Sequence, residues 1–318
     1  MKINTLGNTG LQVSELGFGA FAIGGHHTGN SYGPTDDRTS IAAIHTALDL
    51  GYTFFDTANV YGNGHSEEVL GRALRHSGCV NEVVLASKVG GRWSSADHDD
   101  TYAPAYIAQA LEATLKRLGR DYLDLYQLHN PPPQVVQQGA VFEVLERLRQ
   151  AGKIRHYGVS IHTPADGFAC LHGARAQTLQ LPYNLFSLLE PDDSPEVLFA
   201  PAAAQGVGLI AREPLAAGYL SGRHGLHTAY GPGDNRGRWS LQRRRMLLAL
   251  VQALRRLEQP GVTLAQAALR FVLDEPAVST TIVGIKTPGQ ARSNAQATRL
   301  ASFAELERAG LQTGAQAR

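Results

Sequence analysis

Four side chains of this 318-residue chain could together deliver a proton to a carbonyl oxygen. Asp56 closes the apolar run Phe54-Phe55-Asp56, Tyr61 follows five residues later, Lys88 ends Ala86-Ser87-Lys88, and His129 ends Tyr126-Gln127-Leu128-His129 just before Asn130-Pro131. A charge at the end of a buried strand is costly alone, so each group must meet a partner. One grouping satisfies them all. Asp56 pairs with Lys88, Lys88 lies beside the Tyr61 hydroxyl, and His129 points into the same pocket. The neighbouring ammonium is then expected to lower the tyrosine pKa, giving a proton donor near neutral pH aimed at C=O. Each residue taken singly has a plainer reading. Asp56 could cap a helix or join a structural ion pair, Tyr61 could be a packing aromatic with a wet hydroxyl, and His129 a turn residue before prolines. Lysine rarely ends a buried strand without a partner, so Lys88 is the least easily explained that way.

These residues act together only if the strands they end lie side by side. Short apolar runs read as buried parallel strands at 14–23, 52–56, 83–88, 123–129, 154–160, 178–181, 207–211 and 279–283. Helical periodicity reads at 40–50, 66–76, 104–118, 140–150, 165–172, 195–205, 241–258, 263–273, 289–298 and 302–309, with Ser66 as an N-cap and Pro104 at a helix start. Gly7-Asn8-Thr9-Gly10 between two alternating stretches predicts a hairpin. Strict alternation implies a parallel sheet, and eight strand–helix units favour a closed barrel over an open doubly wound sheet. The expectation is one α/β domain over residues 1–318: a (β/α)8 TIM barrel with an N-terminal β-hairpin and extra C-terminal helices. Gly17-Phe18-Gly19-Ala20-Phe21-Ala22 fits G-x-G-x-x-A, but Gly24-Gly25 rather than a helix follows, so the dinucleotide fingerprint is a chance match.

Composition narrows the function classes. With 29 Lys+Arg against 28 Asp+Glu, net charge +1, no large basic face is implied, which disfavours nucleic acid and anionic membranes. Arg243-Arg244-Arg245 reads better as a solvated helix face. No apolar run at the start resembles a signal peptide, and residues 246–254 fall far short of a membrane span. Cys79 and Cys170 are the only cysteines and read as inert thiols in a reducing, cytoplasmic setting. His26-His27 and His224-x-x-His227 read as solvated loop residues rather than metal ligands, and no metal site is expected. A metal-dependent barrel hydrolase would need more His, Asp or Glu at its strand ends than this chain supplies. Trp93 and Trp239 read as rim residues or pocket walls.

The ordered motifs resemble the aldo-keto reductases along nearly the whole chain, in the bacterial branch related to potassium-channel β-subunits. Asp56-Thr57-Ala58-x-x-Tyr61-Gly62, Ser87-Lys88 and Leu128-His129 resemble the family's catalytic tetrad. Gly158-Val159-Ser160 and Gln180-x-x-Tyr183-Asn184 resemble its nicotinamide-contacting segments. Pro214-Leu215-x-x-Gly218-x-Leu220-Ser221-Gly222, with Arg223, resembles its pyrophosphate loop. Gly284-Ile285-Lys286-Thr287-Pro288-x-Gln290-x-x-x-Asn294 resembles its adenosine-phosphate segment. The opening Leu6-Gly7-x-Thr9-Gly10 resembles a hairpin plugging the barrel floor.

The resemblance implies an oxidoreductase using NADP(H), with NAD(H) left open, that interconverts a small carbonyl substrate and its alcohol. Tyr61 would be the acid or base, tuned by Lys88 and Asp56, with His129 orienting the carbonyl. Three positions depart from the pattern. Ile161 follows Ser160 where asparagine is common, Arg212 stands where an aromatic ring often stacks on the nicotinamide, and Lys286 replaces an arginine at the 2′-phosphate. Arg212 could stack on a planar ring or contact phosphate or substrate, and His162 could supply the missing carboxamide bond. A second reading is a slow, cofactor-sensing regulatory subunit like the channel β-subunits; the lack of an extension before Lys2 favours a free enzyme.

Overall fold

A computed structural model describes residues 1–26, 31–90, 100–173, 175–188 and 194–307. The chain opens with the antiparallel hairpin β1 (Ile3–Thr5) and β2 (Gln12–Ser14). Eight strands follow: β3 (Leu16–Gly19), β4 (Phe54–Asp56), β5 (Val84–Val89), β6 (Leu123–His129), β7 (Ile154–Ser160), β8 (Thr178–Pro182), β9 (Gly208–Arg212) and β10 (Val278–Gly284). They close into a barrel in which every neighbouring pair is parallel and β10 pairs with both β9 and β3. Around it run α1 (Asp37–Asp49), α2 (His65–His76), α3 (Pro104–Leu118), α4 (Pro133–Gln138), α5 (Ala140–Gln150), α6 (Pro164–His172), α7 (Phe199–Ala204), α8 (Leu241–Leu254), α9 (Leu264–Leu273) and α10 (Pro288–Gln296). This is the (β/α)8 barrel expected from the alternation, hairpin included.

The period-2 side-chain alternation of strands sorts the barrel into layers. Phe54, Ala86, Leu125, Ile210 and Ile282 form the apolar floor with Leu6, Leu11 and Val13 of the hairpin. The hairpin seats itself through Asn8 N–H to the Gly206 carbonyl, 2.8 Å. A Cβ on Gly208 would lie 2.8 Å from Leu6 Cδ1 and 2.9 Å from Gly7 N, so glycine permits the plug to close against β9. Two residues further along the strands, the same inward face turns polar.

Several boundaries differ from the reading of the sequence. The first barrel strand ends at Gly19 and continues as a 3₁₀ turn, Ala20–Ile23. α2 starts at His65 with Gly64, φ +93°, at its N-cap, so Ser66 lies inside the helix, hydrogen-bonded to Thr57 Oγ1 and the Ala20 carbonyl. α1 begins at Asp37, its first turn held by Asp36 accepting from Thr39 N–H. Residues 195–205 split into a 3₁₀ turn and α7, and 241–258 into α8 and a closing 3₁₀ turn. Pro104 occupies the first position of α3. Within 302–309 the described helical residues are 303–307; the tail from 312 and Trp93 lie outside the described residues.

Candidate active site

Asp56 and Lys88 project from the C-terminal ends of β4 and β5 one inward position above the apolar floor, and His129 ends β6 two inward positions above it. Tyr61 arrives from the turn between β4 and α2. Lys88 Nζ donates to Asp56 Oδ1, to the Thr57 carbonyl at 2.9 Å and to Tyr61 Oη at 3.2 Å. The Tyr61 ring lies edge-on to His129, centroids 5.6 Å apart, and to Phe21 at 5.0 Å. Asp56, Tyr61 and His129 therefore line one cavity, with Lys88 buried against Asp56 and Tyr61. Lys88 and Asp56 are 0% and 1% exposed, so the pair is held without solvent screening. Behind β5, buried Glu67 accepts from Ser87 Oγ (2.6 Å), Thr114 Oγ1 (2.9 Å) and Arg117 Nε (2.6 Å), tying α2 and α3 to the strand that carries Lys88.

The electrostatics correct one expectation. The Tyr61 pKa is raised, not lowered: burial dominates, the Lys88 ammonium only partly opposes it, and Asp56 adds to the rise. Desolvation disfavours the phenolate more strongly than one already paired ammonium favours it. Burial pulls the Lys88 pKa down, but Asp56, Tyr61 and the hydrogen bonds to both together raise it above the usual value, so the lysine stays charged. His129 is pushed well below the ordinary histidine range by burial and by the Lys88 and Arg212 cations, which leaves a neutral imidazole.

A cavity of about 650 Å³ opens over this group and runs toward β10. Among its lining residues are Gln180, Arg212, Pro214, Leu215, Gly218, Arg223, Gly284, Lys286 and Gln290. Four other candidates do not line it. Ser160 is buried and donates to Asn130 Oδ1 at 3.4 Å. Leu220 packs into the core, Gly222 closes a 3₁₀ turn at φ +70°, and Asn294 is buried on α10. Asn184 braces the loop after β9 by donating to the Glu213 carbonyl at 3.2 Å.

The three departures are also resolved in space. Arg212 pairs with Glu213, and its Nη2 donates to the Ile161 carbonyl (3.0 Å) and His162 Nδ1 (2.9 Å). His162 is thus engaged by Arg212. Lys286 Nζ donates to the carbonyls of Tyr32 (2.6 Å), Gly33 (3.3 Å) and Pro34 (3.2 Å). Gln180 Nε2 donates to Asp56 Oδ2 at 2.8 Å, while its Oε1 is buried with no partner among the described residues.

Residues not singled out in the sequence also build the site. Phe21, Tyr32, Asn130 and Arg236 line the cavity. Arg236 is clamped by Asp234, reaches the Ala217 carbonyl at 3.1 Å and lies over the Tyr32 ring. His224 contacts Arg236 at 3.1 Å beside Gly218, so it is a packed cavity residue rather than a solvated one. Trp239 stacks on Tyr219 at 5.6 Å and carries Arg243 at 4.1 Å, outside the cavity lining. Asn130, in left-handed backbone (φ +57°) directly after His129, was the most accessible signal, since asparagine tolerates that conformation. Tyr32 and Arg236 lie 204 residues apart and meet only in the folded chain.

A closed parallel barrel with a buried Asp–Lys–Tyr–His group opening into a cavity, together with the family match that follows, makes the protein a nicotinamide-dependent oxidoreductase. Residues 15–308 match the model of the aldo/keto reductase family, and the chain belongs to that family. It is 33% identical over 306 residues to aldo-keto reductase YhdN of Bacillus subtilis (strain 168), covering 94% of this chain and 89% of that protein. It is 30% identical over 312 residues to a putative voltage-gated potassium channel subunit beta of Schizosaccharomyces pombe, covering 92% and 86%. Aldo-keto reductase AKR11C1 from Bacillus halodurans, in its holo form, superposes with a TM-score of 0.77 at 28% identity, covering 98% and 96%. Among the described residues, no helix is long and apolar enough to cross a membrane.

The residues present fit a nicotinamide dinucleotide. Gln180 offers an unpartnered buried acceptor beside the Asp56–Lys88–Tyr61 group. Ala216, Ala217 and Gly218 take consecutive positive φ of 46°, 54° and 90°, and Ala217 and Gly218 of this tight turn line the cavity. Lys286 and the N-terminus of α10, with its Thr287–Gln290 capping box, place positive potential at the far end.

Proposed function

We propose that this enzyme reduces an aldehyde or ketone, or oxidises the alcohol, with NADP(H) as cofactor and Tyr61 as general acid or base. The observation that carries the reading is the ammonium bridge: Lys88 Nζ bonded at once to Asp56 and, at 3.2 Å, to the Tyr61 hydroxyl on the cavity floor. When bound, the reduced cofactor supplies the hydride. Tyr61, protonated through neutral pH because burial raises its pKa, gives its proton to the oxygen that becomes the alcohol. Lys88 stabilises the phenolate left behind, and Asp56 keeps Lys88 charged and aimed. Neutral His129, edge-on to Tyr61, orients the carbonyl oxygen by a hydrogen bond. Gln180 and Arg212 hold the nicotinamide end; the Pro214–Leu215 turn, Gly218 and Arg223 the pyrophosphate; Gly284, Lys286 and Gln290 the adenosine phosphate.

Tyr61→Phe tests this. A folded variant should lose roughly 10²- to 10⁴-fold in kcat for reduction with little change in NADPH affinity. Near-wild-type turnover would remove Tyr61 from the chemistry. Turnover on a panel of aldehydes and alcohols, read by NADPH absorbance in both directions, separates an enzyme from a slow regulatory subunit.

A further inference from the structure

Lys88 takes one oxygen of Asp56, and two amides converge on the other. Asp56 Oδ2 accepts from Gln180 Nε2 at 2.8 Å and from Gln127 Nε2 at 3.2 Å. Gln127 lies directly opposite Lys88 in the β5–β6 ladder, on the inward face between Leu125 and His129. It is 0% exposed and does not line the cavity, so it touches neither substrate nor cofactor space. Its own Oε1 is buried with no partner among the described residues. A half-satisfied buried amide is unfavourable, and an apolar side chain of the same volume would suit this layer better, so packing does not explain the residue. Gln180 differs: it lines the cavity, and under the reading above it offers its free Oε1 to the cofactor while its Nε2 stays on Asp56 Oδ2. Gln127 is then the amide on that oxygen that the cofactor does not touch.

We propose that Gln127 is a positioning residue that keeps Asp56 on Lys88, and hence Lys88 on Tyr61, so that Gln180 can be shared with the nicotinamide. The inference rests on the reading of Tyr61 as the proton donor. The positive end of the Gln127 amide sits beside the carboxylate and favours the phenolate. Its removal therefore raises the Tyr61 pKa further and leaves Gln180 as the one side-chain amide on Asp56 Oδ2, so any shift of Gln180 toward the cofactor loosens the carboxylate.

Gln127→Leu and Gln127→Met remove the donor at nearly constant volume, and both should fold with little change in Tm, because the lost bond to Asp56 is offset by removal of the unpaired Oε1. Two readouts follow. The pH profile of alcohol oxidation should move its limb to higher pH, with kcat down about 10-fold. The NADPH Kd of the enzyme without substrate, measured by fluorescence titration, should rise about 3- to 10-fold although Gln127 lies outside the cavity. Folded variants with the wild-type pH limb overturn the positioning role, and a wild-type Kd overturns the sharing with Gln180. Tyr61→Phe keeps the two questions apart. Retained activity there removes Tyr61 as the donor, whereas the Kd readout for Gln127 does not depend on which residue moves the proton.

Discussion

At the scale of single residues, protonation states decide the direction of the chemistry. Tyr61 has its pKa raised by burial, so the acid form is present through neutral pH and is lost only as pH climbs through the raised value. With Tyr61 as the proposed acid and base, reduction should hold constant across neutral pH and fall only on the alkaline side, while oxidation should rise with pH. Profiles of kcat/KM in both directions check this, and a fall in reduction beginning near pH 7 would contradict it. His129 titrates well below the ordinary range, so the neutral ring persists until the solution becomes distinctly acid. A second cation forming there, beside Lys88, should then depress activity as pH falls. Cys170, buried with its thiol pushed up to about 12, and half-buried Cys79 should leave activity indifferent to mild thiol-alkylating reagents.

At the scale of elements, Lys88 is only as well placed as β5. Glu67 on α2 holds that strand through Ser87 and holds α3 through Thr114 and Arg117, with Glu67 itself 0% exposed. Glu67→Ala strands a largely buried guanidinium and two hydroxyls, and should cost about 3–5 kcal/mol of stability. Urea unfolding measures this; a loss below ~1 kcal/mol would show the cluster to be incidental. The plug is a second case. Gly208→Val would drive a side chain into Leu6 and the Gly7 backbone, and should lower stability by about 1–3 kcal/mol while shifting the hairpin off β9.

At the scale of the whole molecule, two distant loops meet over the cavity. Ser31 pairs with the loop at 233–235, and Lys286 fastens the carbonyls of Tyr32, Gly33 and Pro34. The lysine read as a phosphate ligand thus already has three acceptors, and a 2′-phosphate must share it with that loop. Lys286→Met should lower kcat/KM with NADPH at least about 10-fold more than with NADH, since only the former carries the extra charge. An unchanged preference would remove Lys286 from cofactor discrimination.

Fold class and the four catalytic candidates were legible because both follow from local patterns. Eight apolar runs alternating with amphipathic ones admit few topologies, and charged residues at the ends of buried strands demand partners. Gln127 was legible in principle, two residues before His129 and so on the same face, but nothing local distinguishes a buried glutamine bonded to Asp56 from a chance polar residue. The Tyr61 pKa, the engagement of Lys286 by a loop some 250 residues away, and the joining of Tyr32 to Arg236 belong to tertiary structure alone. Desolvation and long-range contact depend on what the closed barrel brings near, and residue order does not carry that information until the chain has folded.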